Sequence, residues 1–306
     1  MILCAGESLI DMIPNADGAY VPHVGGAVLN TAVALGRMGV PTGLVTGLSS
    51  DPFGQMIAAH LDGSNVSADH AVRSDRNTTL AFVHLTEGHA TYTFYDNDTA
   101  TSAILPGDLP ALPDGVEAVF FGGISLCNPP VADSLLDMAL GVPEDTLLMA
   151  DPNIRPGFAA DQEAYRSRLE KLITRADIVK LSDDDIHWLL PGVSPLDHKA
   201  EQVLEMGAGM LLLTAGAEGA TAYRAGQDPV HGAASRAQVV DTVGAGDTFN
   251  AGCLAALRRT DALDPRNVAS LDKDTIMDML SLAARAAAIT VSRAGANPPW
   301  AHELEG

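Results

Sequence analysis

The chain of 306 residues carries 39 acidic and 18 basic side chains, which gives a formal net charge of −21 at pH 7. Nucleic acids and anionic membrane surfaces are bound by clusters of Lys and Arg, so this balance argues against both as partners. It is still compatible with a local basic site for a phosphorylated ligand. The length fits one large domain, or a domain with a small addition, and is ample to bury a core.

The three cysteines, Cys4, Cys127 and Cys253, lie far apart in apolar runs, without the spacing of a zinc site. Three are too few for a disulfide framework, so we expect buried free thiols in a reducing compartment. The segment Met1–Glu7 lacks the basic part of a secretory signal. No apolar run approaches the roughly 20 residues that cross a bilayer. These features predict a cytoplasmic protein.

Short apolar runs alternate with amphipathic segments along most of the chain. The runs end at Gly, Pro or Asp and are apolar on both faces, which is typical of buried strands in a parallel sheet. The predicted strands are Ile2–Ala5, Gly43–Thr46, Val119–Gly122, Thr146–Ala150, Ile178–Leu181 and Met210–Thr214. The predicted helices are Asn30–Met38, Gly54–His60, Val131–Leu140, Gln162–Thr174, Lys199–Met206, Ala245–Arg258 and Thr275–Ser292. This order predicts right-handed βαβ units in an α/β sandwich.

Two regions break this rhythm. Thr78–Leu85 and Thr91–Asp96 alternate apolar and polar residues around 86–90, which predicts a hairpin. Ser8–Ile13 and Ala19–Val24 form a second candidate pair of strands. Together the four strands predict a small sheet that covers the main body as a lid, and the Pro- and Gly-rich segment 98–115 is interpreted as the linker that returns to the body.

A run of small residues opens the helix predicted at Ala245–Arg258, within the segment Asp241–Gly252. Successive amides of such a turn point into one concavity, and the helix N-terminus adds positive potential, which favours a bound phosphate. We call Gly244, Ala245 and Gly246 the anion cradle. Asp247 follows it in the first helical turn, well placed to take a proton from an attacking hydroxyl. An Asp at this position also stabilises a helix without any catalytic role.

The segment Asp241–Gly252 resembles the second signature of the ribokinase-like, PfkB-type carbohydrate kinases. Gly25–Asn30 is similar to the N-terminal Gly-Gly-x-x-x-Asn segment of that family, and Thr214–Gly219 to its nucleotide-phosphate turn. Asp11, placed at the end of the first strand, and Ser292–Ala296 match the family in position and type. The likeness covers essentially the full chain, whereas no GxxxxGK[ST] phosphate-binding motif is present.

The resemblance implies one domain over residues 1–306, a three-layer α/β/α sandwich around a nine-stranded, mainly parallel sheet. A lid sheet formed by about 8–24 and 78–103 is inserted in it. The implied reaction transfers the γ-phosphoryl group of ATP to a primary hydroxyl of a sugar, with Mg²⁺ and, in many members, K⁺. The implied site residues are Asp247 as base with the anion cradle; Asp11, Gly25, Gly26, Asn30 and Arg155 for the sugar; Thr214, Gly216, Gly219 and Ala284 for the nucleotide; and Asp241, Val243 and Gly295 for K⁺.

The chemistry of the sugar-site residues agrees with this assignment, although each has a simpler explanation. Asp11 can accept hydrogen bonds from two neighbouring hydroxyls, or it is a turn residue at a strand end. Asn30 can both donate and accept, or it is a helix N-cap. Gly25 and Gly26 permit a hinge between lid and body, or they form a plain turn.

Asp151-Pro152-Asn153-Ile154-Arg155 follows a predicted buried strand, where α/β sheets bind ligands. Arg155 carries a permanent charge that suits a phosphoryl group or a sugar oxygen. Alternatively it is a surface residue that pairs with Asp161 or Glu163. The segment is similar to that of family members that act on fructose or 2-keto-3-deoxygluconate.

One position departs from the family, which commonly has Asn-x-x-Glu after the strand at Ile178–Leu181 to hold Mg²⁺ through water. This chain has Ser182 and Asp185 there. Both side chains offer oxygen ligands, and Mg²⁺ accepts a carboxylate together with waters, so Asp185 is assigned an outer-shell role. The alternative is that Ser182 caps a helix that begins at Asp183.

The substrate class rests on the resemblance. The opening segment Gly6–Asp11 and Asp151–Arg155 are most similar to fructokinases, with 2-keto-3-deoxygluconate kinases and other ketose or nucleoside kinases as alternatives. An anionic substrate calls for several cations, and Arg155 is the single one near a motif. A non-catalytic sugar-binding regulator on the same fold is a further alternative. The expected partners are a sugar and ATP, with a homodimer through the lid.

Overall fold

The computed structural model describes residues 1–86 and 89–305. Its strands are β1 Ile2–Ala5, β2 Leu9–Pro14, β3 Tyr20–Gly25, β4 Thr42–Val45, β5 Gly47–Ser49, β6 Val66–Ser67, β7 Val72–Ser74, β8 Leu80–Thr86, β9 His89–Tyr95, β10 Ala118–Gly122, β11 Leu147–Asp151, β12 Ile178–Ser182, β13 Met210–Thr214, β14 Ala220–Tyr223 and β15 Val230–Gly232. Its α-helices are α1 Ala27–Arg37, α2 Pro52–Asp62, α3 Val131–Leu140, α4 Gln162–Arg175, α5 Asp183–Leu189, α6 Leu196–Glu205, α7 Ala245–Arg259 and α8 Lys273–Val291.

Nine strands form the central sheet in the order β15-β14-β13-β12-β11-β10-β1-β4-β6. From β13 to β6 all neighbours are parallel, while β14 and β15 pair antiparallel at one edge. The six predicted strands are confirmed within one or two residues. The sequence did not predict β6, β14 and β15, which are short edge elements that lack a continuous apolar run.

Helices cover both faces of the sheet, as the predicted sandwich requires. One core packs the sheet against α1, α2, α7 and α8, and the other packs it against α3, α4, α5 and α6. Successive strand residues serve opposite faces. On β12, Ile178 belongs to the first core, and Val179 and Leu181 belong to the second. Lys180 therefore projects towards the layer that contains α7.

The helix boundaries differ most from prediction at the N-termini. Helix α1 begins at Ala27 with Gly26 as its N-cap, three residues before the predicted start. The interpretation of Asn30 as an N-cap is therefore wrong, because that residue lies inside the helix. Helix α2 begins at Pro52, since the Asp51 side chain accepts a hydrogen bond from the Gly54 amide and caps it.

A second sheet, the lid, has the strand order β3-β2-β8-β9. Strands β2 and β3 form one antiparallel hairpin, β8 and β9 pair antiparallel, and β2 joins β8 in parallel. The predicted lid ranges 8–24 and 78–103 contain these strands except for Gly25, and the ends of the four strands differ from the predicted ends by one or two residues. Part of the turn predicted at 86–90, namely 87–88, lies outside the described residues. A separate pair, β5 with β7, was not predicted, and segment 98–115 contains neither helix nor strand.

Cys4, Cys127 and Cys253 are buried and free, as predicted. Burial raises the pKa of each of these thiols. They therefore contribute to packing and are poor nucleophiles. Across the described ranges, no helix combines the length and apolar character needed to cross a membrane.

Candidate active site

A cavity of about 340 Å³ lies at the carboxyl edge of the central sheet, between the lid and the N-terminus of α7. Ligands of open α/β sheets bind outside the carboxyl ends of the strands, and the volume falls in the range of small-molecule pockets. The predicted site residues that line it are Asp11, Gly26, Asn30, Arg155, Val243, Gly244, Ala245, Gly246 and Asp247. Residues from distant parts of the sequence thus meet in one cleft.

The anion cradle forms the start of α7. Gly244 is the N-cap with φ 78°, a left-handed conformation that an L-residue rarely adopts. The Thr248 amide donates to the Gly244 carbonyl at 2.9 Å and is the first to enter the helical pattern, so the amides of Gly246 and Asp247 precede it. The Ala245 amide donates to the Thr242 carbonyl at 3.3 Å. The turn therefore uses one of the three amides that the sequence assigned to the phosphoryl group.

The Asp247 side chain is buried directly behind the cradle. Its Oδ2 accepts a hydrogen bond from Asn30 Nδ2 at 2.9 Å. Burial raises the pKa of Asp247 to about 7, against the lowering effect of the Asn30 hydrogen bond. This carboxyl group can both hold and release a proton near neutral pH, as a general base must. Asn30 contacts the carboxylate and thereby fixes its orientation.

Asp11 lies within β2 and not at the end of the first strand, so the expected position and the strand-end turn interpretation are both wrong. Burial raises the pKa of Asp11 to about 6. The carboxylate packs against Gly25 of β3 so closely that a Cβ there would lie 2.1 Å from Asp11 Oδ2. A side chain at position 25 would therefore displace this carboxylate from its present position.

Arg155 is exposed and lines the cavity. Its Nη1 donates to the neighbouring Ile154 carbonyl at 3.0 Å. The side chain of Asp161 instead caps α4, accepting from the amides of Glu163 and Ala164. No ion pair joins Arg155 to Asp161 or Glu163 within 1–86 and 89–305. Neither acid therefore holds the guanidinium group away from the cleft that this residue lines.

The cavity also contains a buried ion pair that the sequence analysis missed. Lys180 Nζ lies 3.1 Å from Asp151 Oδ2, with the two side chains 7% and 3% exposed. Asp151 Oδ2 also accepts a hydrogen bond from Asn250 Nδ2 on α7 at 2.7 Å. A lysine inside the apolar strand Ile178–Leu181 was a usable signal, because a buried charge needs a partner.

Glu7 is a further residue of the site that was missed. Its buried carboxylate follows β1 and accepts hydrogen bonds from the Ala27 amide at 2.9 Å and the Ser125 hydroxyl at 2.9 Å. Burial raises the pKa of Glu7. The side chain joins the N-terminus of α1 to the loop after β10. An acidic residue directly after a buried strand was the signal for it.

Ser182 is the N-cap of α5, as the alternative interpretation held. Its hydroxyl accepts from the Asp185 amide, and Asp185 Oδ2 accepts from the Ser182 amide at 2.9 Å, which is a capping box. Asp185 Oδ1 accepts from the Ile154 amide at 2.8 Å. The buried Asp185 side chain therefore anchors the loop that carries Arg155.

The four predicted nucleotide residues lie outside this cavity. Thr214 ends β13 and pairs with Ser182 across the sheet, and Gly216 and Gly219 belong to the turn that follows. Ala284 lies on α8, which packs against α7. Thr214, Gly216 and Gly219 lie at the carboxyl end of β13, the same end of the sheet as the cradle, beyond β12.

The three residues assigned to K⁺ form a loop cluster beside the cradle. Asp241 Oδ1 accepts from the Val243 amide at 3.0 Å, and Asp241 Oδ2 accepts from the Gly295 amide at 2.9 Å. The carboxylate therefore ties the segment before α7 to the segment after α8.

The family profile described as pfkB family carbohydrate kinase matches residues 1–303. This chain belongs to that family. A fructokinase from Rhizobium leguminosarum bv. trifolii is 42% identical over 283 residues, which is 90% of this chain and 85% of the relative. Fructokinase-1 from Zea mays is 31% identical over 318 residues, covering 100% of this chain and 96% of the relative.

The crystal structure of a fructokinase with bound ATP from Xylella fastidiosa matches this fold with a TM-score of 0.90 at 28% identity, covering 99% and 96% of the two chains. The protein is an ATP-dependent sugar kinase of the pfkB family, and its substrates are a sugar and ATP. The predicted fold class and reaction class are thereby confirmed.

The contact between Gly25 and Asp11 gives a test of the sugar site. In Gly25→Ala the added Cβ displaces the Asp11 carboxylate, because the two would lie 2.1 Å apart. We expect the KM for the sugar to rise about tenfold or more, the loss expected for a charge-assisted hydrogen bond, while the KM for ATP stays unchanged. Gly157→Ala is the matched control, since nothing lies within 4 Å of its added Cβ. Equal sugar KM values in the two variants would contradict the assignment.

Proposed function

We propose that this kinase is a fructokinase that phosphorylates the primary hydroxyl of D-fructose. The observation that carries the proposal is the 42% identity with a bacterial fructokinase over 90% of the chain. The location proposed with it is the cytoplasm, which fits the three buried free thiols.

The charges at the acceptor end of the cleft support a neutral sugar. Glu7 and Asp11 line the cavity there with Arg155. An adjoining cavity of about 540 Å³, which shares Glu7, is lined by Asp96 and Asp98. Asp98 forms an ion pair there with Arg76. A sugar acid would bring its carboxylate towards these acids, whereas hydroxyl groups can donate hydrogen bonds to them. This arrangement favours fructose over 2-keto-3-deoxygluconate.

In the proposed mechanism, Asp247 takes the proton of the sugar hydroxyl while the hydroxyl oxygen attacks the γ-phosphorus of ATP. The bond from the γ-phosphorus to the β–γ bridging oxygen breaks, and ADP leaves with that electron pair. The cradle amides other than that of Ala245, together with the N-terminus of α7, stabilise the negative charge on the transferring phosphoryl group. Asp11 and Arg155 orient the acceptor, and closure of the lid over the cleft excludes water as a competing acceptor. Gly25 and Gly26, at the junction of β3 and α1, are the proposed hinge.

The nucleotide is proposed to extend from the cradle to Thr214, Gly216 and Gly219, with Ala284 beside it. The carboxylate of Asp185 fits an outer-shell role towards Mg²⁺. Both of its oxygens already accept backbone hydrogen bonds, so we propose that it contacts the ion through a water molecule. Bound with ATP, Mg²⁺ would neutralise charge on the phosphate oxygens.

The loop cluster of Asp241, Val243 and Gly295 fits a monovalent cation next to the cradle. It contains the Asp241 carboxylate and two backbone segments, at Val243 and at Gly295, whose carbonyl oxygens suit a hard cation. We propose that K⁺ binds there and adds positive charge near the phosphate site.

The role of Asp247 as base predicts a pH dependence. Because its pKa is raised to about 7, the base is protonated below that pH and ionised above it. We expect kcat/KM to fall about tenfold per pH unit below pH 7 and to level off above it, measured by coupled ADP release at saturating Mg²⁺.

The variant Asp247→Asn is the control for this profile. It should lose about 10²–10⁴ in turnover, the usual loss for a general base, with ADP binding retained. Near-normal turnover in this variant, or a wild-type profile that stays flat down to pH 5, would show that another group takes the proton.

The choice of sugar can be tested with salt. We expect the KM for fructose to change little between low and high ionic strength, because hydroxyl hydrogen bonds are not screened. The KM for 2-keto-3-deoxygluconate should rise with salt if its carboxylate is bound by Arg155. Both sugars are compared with ATP saturating and K⁺ held constant. Turnover of fructose far below that of the keto acid would make the enzyme a sugar-acid kinase.

The lid carries the surface proposed for the homodimer. On the face opposite the cleft, Phe82 contacts Tyr20 and Tyr95 edge to face at 4.9 Å and 5.4 Å. Tyr20 is 38% and Tyr95 60% exposed. Clustered exposed aromatic side chains mark interaction surfaces, and a second copy of the same sheet would cover them.

We expect sedimentation velocity to show a dimer that Tyr95→Ser converts to a monomer, because the substitution removes the most exposed ring of the cluster. Leu140→Ser is the control, since Leu140 is 49% exposed on α3, in the body. A monomeric wild-type enzyme at micromolar concentration would refute the proposed interface.

A further inference from the structure

Lys180 is a buried cation to which the reaction outlined above assigns no role. Met149 of β11 pairs with Ile178 of β12, so Asp151 and Lys180, two residues further on, share the face towards α7. Asp151 Oδ2 accepts from Lys180 Nζ at 3.1 Å and from Asn250 Nδ2 at 2.7 Å. The ion pair is therefore attached to the helix that carries Asp247.

The ammonium group lies directly beneath the first turn of α7. A Cβ added to Gly246 would be 3.3 Å from Lys180 Nζ. Lys180, Asp151 and Asp247 all line the same cavity. An ammonium group has three donors, and the contact with Asp151 occupies one of them.

We propose that Lys180, held by Asp151 and Asn250, is a positioning residue that sets the ionisation of Asp247. The proposal rests on the proposed role of Asp247 as base. A buried positive charge stabilises the carboxylate form of Asp247, and the Asp151 carboxylate opposes it. Since both sit in a low-dielectric site, the balance of the two charges fixes the pH range in which the base is active.

Other groups face Asp247 from the surrounding elements. Burial is the largest cause of its raised pKa; Asn30 on α1 and Lys180 lower the pKa, while Asp151 and Glu7 raise it.

Three further titratable or charged residues line the same cavity, namely Asp11 on β2, Tyr92 on β9 and Arg155 after β11. Asp185 on α5 raises the pKa of Lys180. Of the cations that line the cavity in the described chain, Lys180 is the buried one and Arg155 is exposed.

Two substitutions with opposite expected effects test this. Lys180→Met keeps the approximate length of the side chain and removes the positive charge. The acidic limb of the pH profile of kcat/KM, where activity falls as Asp247 is protonated, should therefore move to higher pH by about one unit or more. Asp151→Asn removes the opposing negative charge, so the limb should move down. In the double variant the shifts oppose each other, and the limb should lie between those of the single variants. The profiles are measured from pH 5 to 9.5 by coupled ADP release.

The control is Arg168→Met, which removes another buried cation. Arg168 lies on α4, outside the cleft, and its Nε is 3.0 Å from Asp133 Oδ1 on α3. This variant should lose thermal stability without moving the limb. Thermal unfolding and ADP binding show which variants are folded. If Lys180→Met does not fold, Asp151→Asn and the charge-neutral double variant still give the comparison.

Shifts in the same direction for Lys180→Met and Asp151→Asn, or no shift in folded variants, would overturn the proposal, since a merely structural ion pair gives no opposite pair of shifts. The base assignment fails separately: Asp247→Asn would then retain turnover, whatever the profiles of the Lys180 variants.

Discussion

Burial of charge at the end of the parallel sheet is the constraint on which the site depends. Asp151, Lys180 and Asp247 are all buried where β11, β12 and α7 meet. Isolated charges are not tolerated in such an environment, so each must have a partner. The ion pair, the Asn250 and Asn30 hydrogen bonds and the helix N-terminus provide these partners, and the Asn30 hydrogen bond holds the Asp247 carboxylate in place.

The same constraint links the lid to the body. Glu7 follows the first strand of the body, and its carboxylate is satisfied by the amide that opens α1 and by the Ser125 hydroxyl. Strand β2 of the lid begins two residues later at Leu9, and β3 ends at Gly25, against the Asp11 carboxylate. Asp11 thus belongs to the lid and Asp247 to the body, so in the proposed mechanism the position of the lid sets the position of the acceptor.

The elements that the sequence predicted well are those whose local pattern matches their environment. The six central strands are apolar on both faces, and Gln162–Arg175 and Ala245–Arg259 have clear starts, at an Asp cap and at the Gly-Ala-Gly run. Asn30 and Asp11 were placed in the right neighbourhood with the wrong local setting. The contacts that decide their setting, to Asp247 and Gly25, come from other segments of the chain, which a local pattern does not contain.

By itself the sequence determined the three-layer α/β class, the lid, the anion cradle with its adjacent carboxylate and the membership of the sugar kinases. These follow from hydrophobic periodicity and from short motifs whose geometry is local. Only the tertiary structure decided that Lys180, Asp151 and Glu7 line the cleft and that Asn30 donates a hydrogen bond to Asp247. Buried charges select their partners through space, from segments 217 residues apart along the chain in the case of Asn30 and Asp247, and that contact exists only once the sheet and its helices have packed.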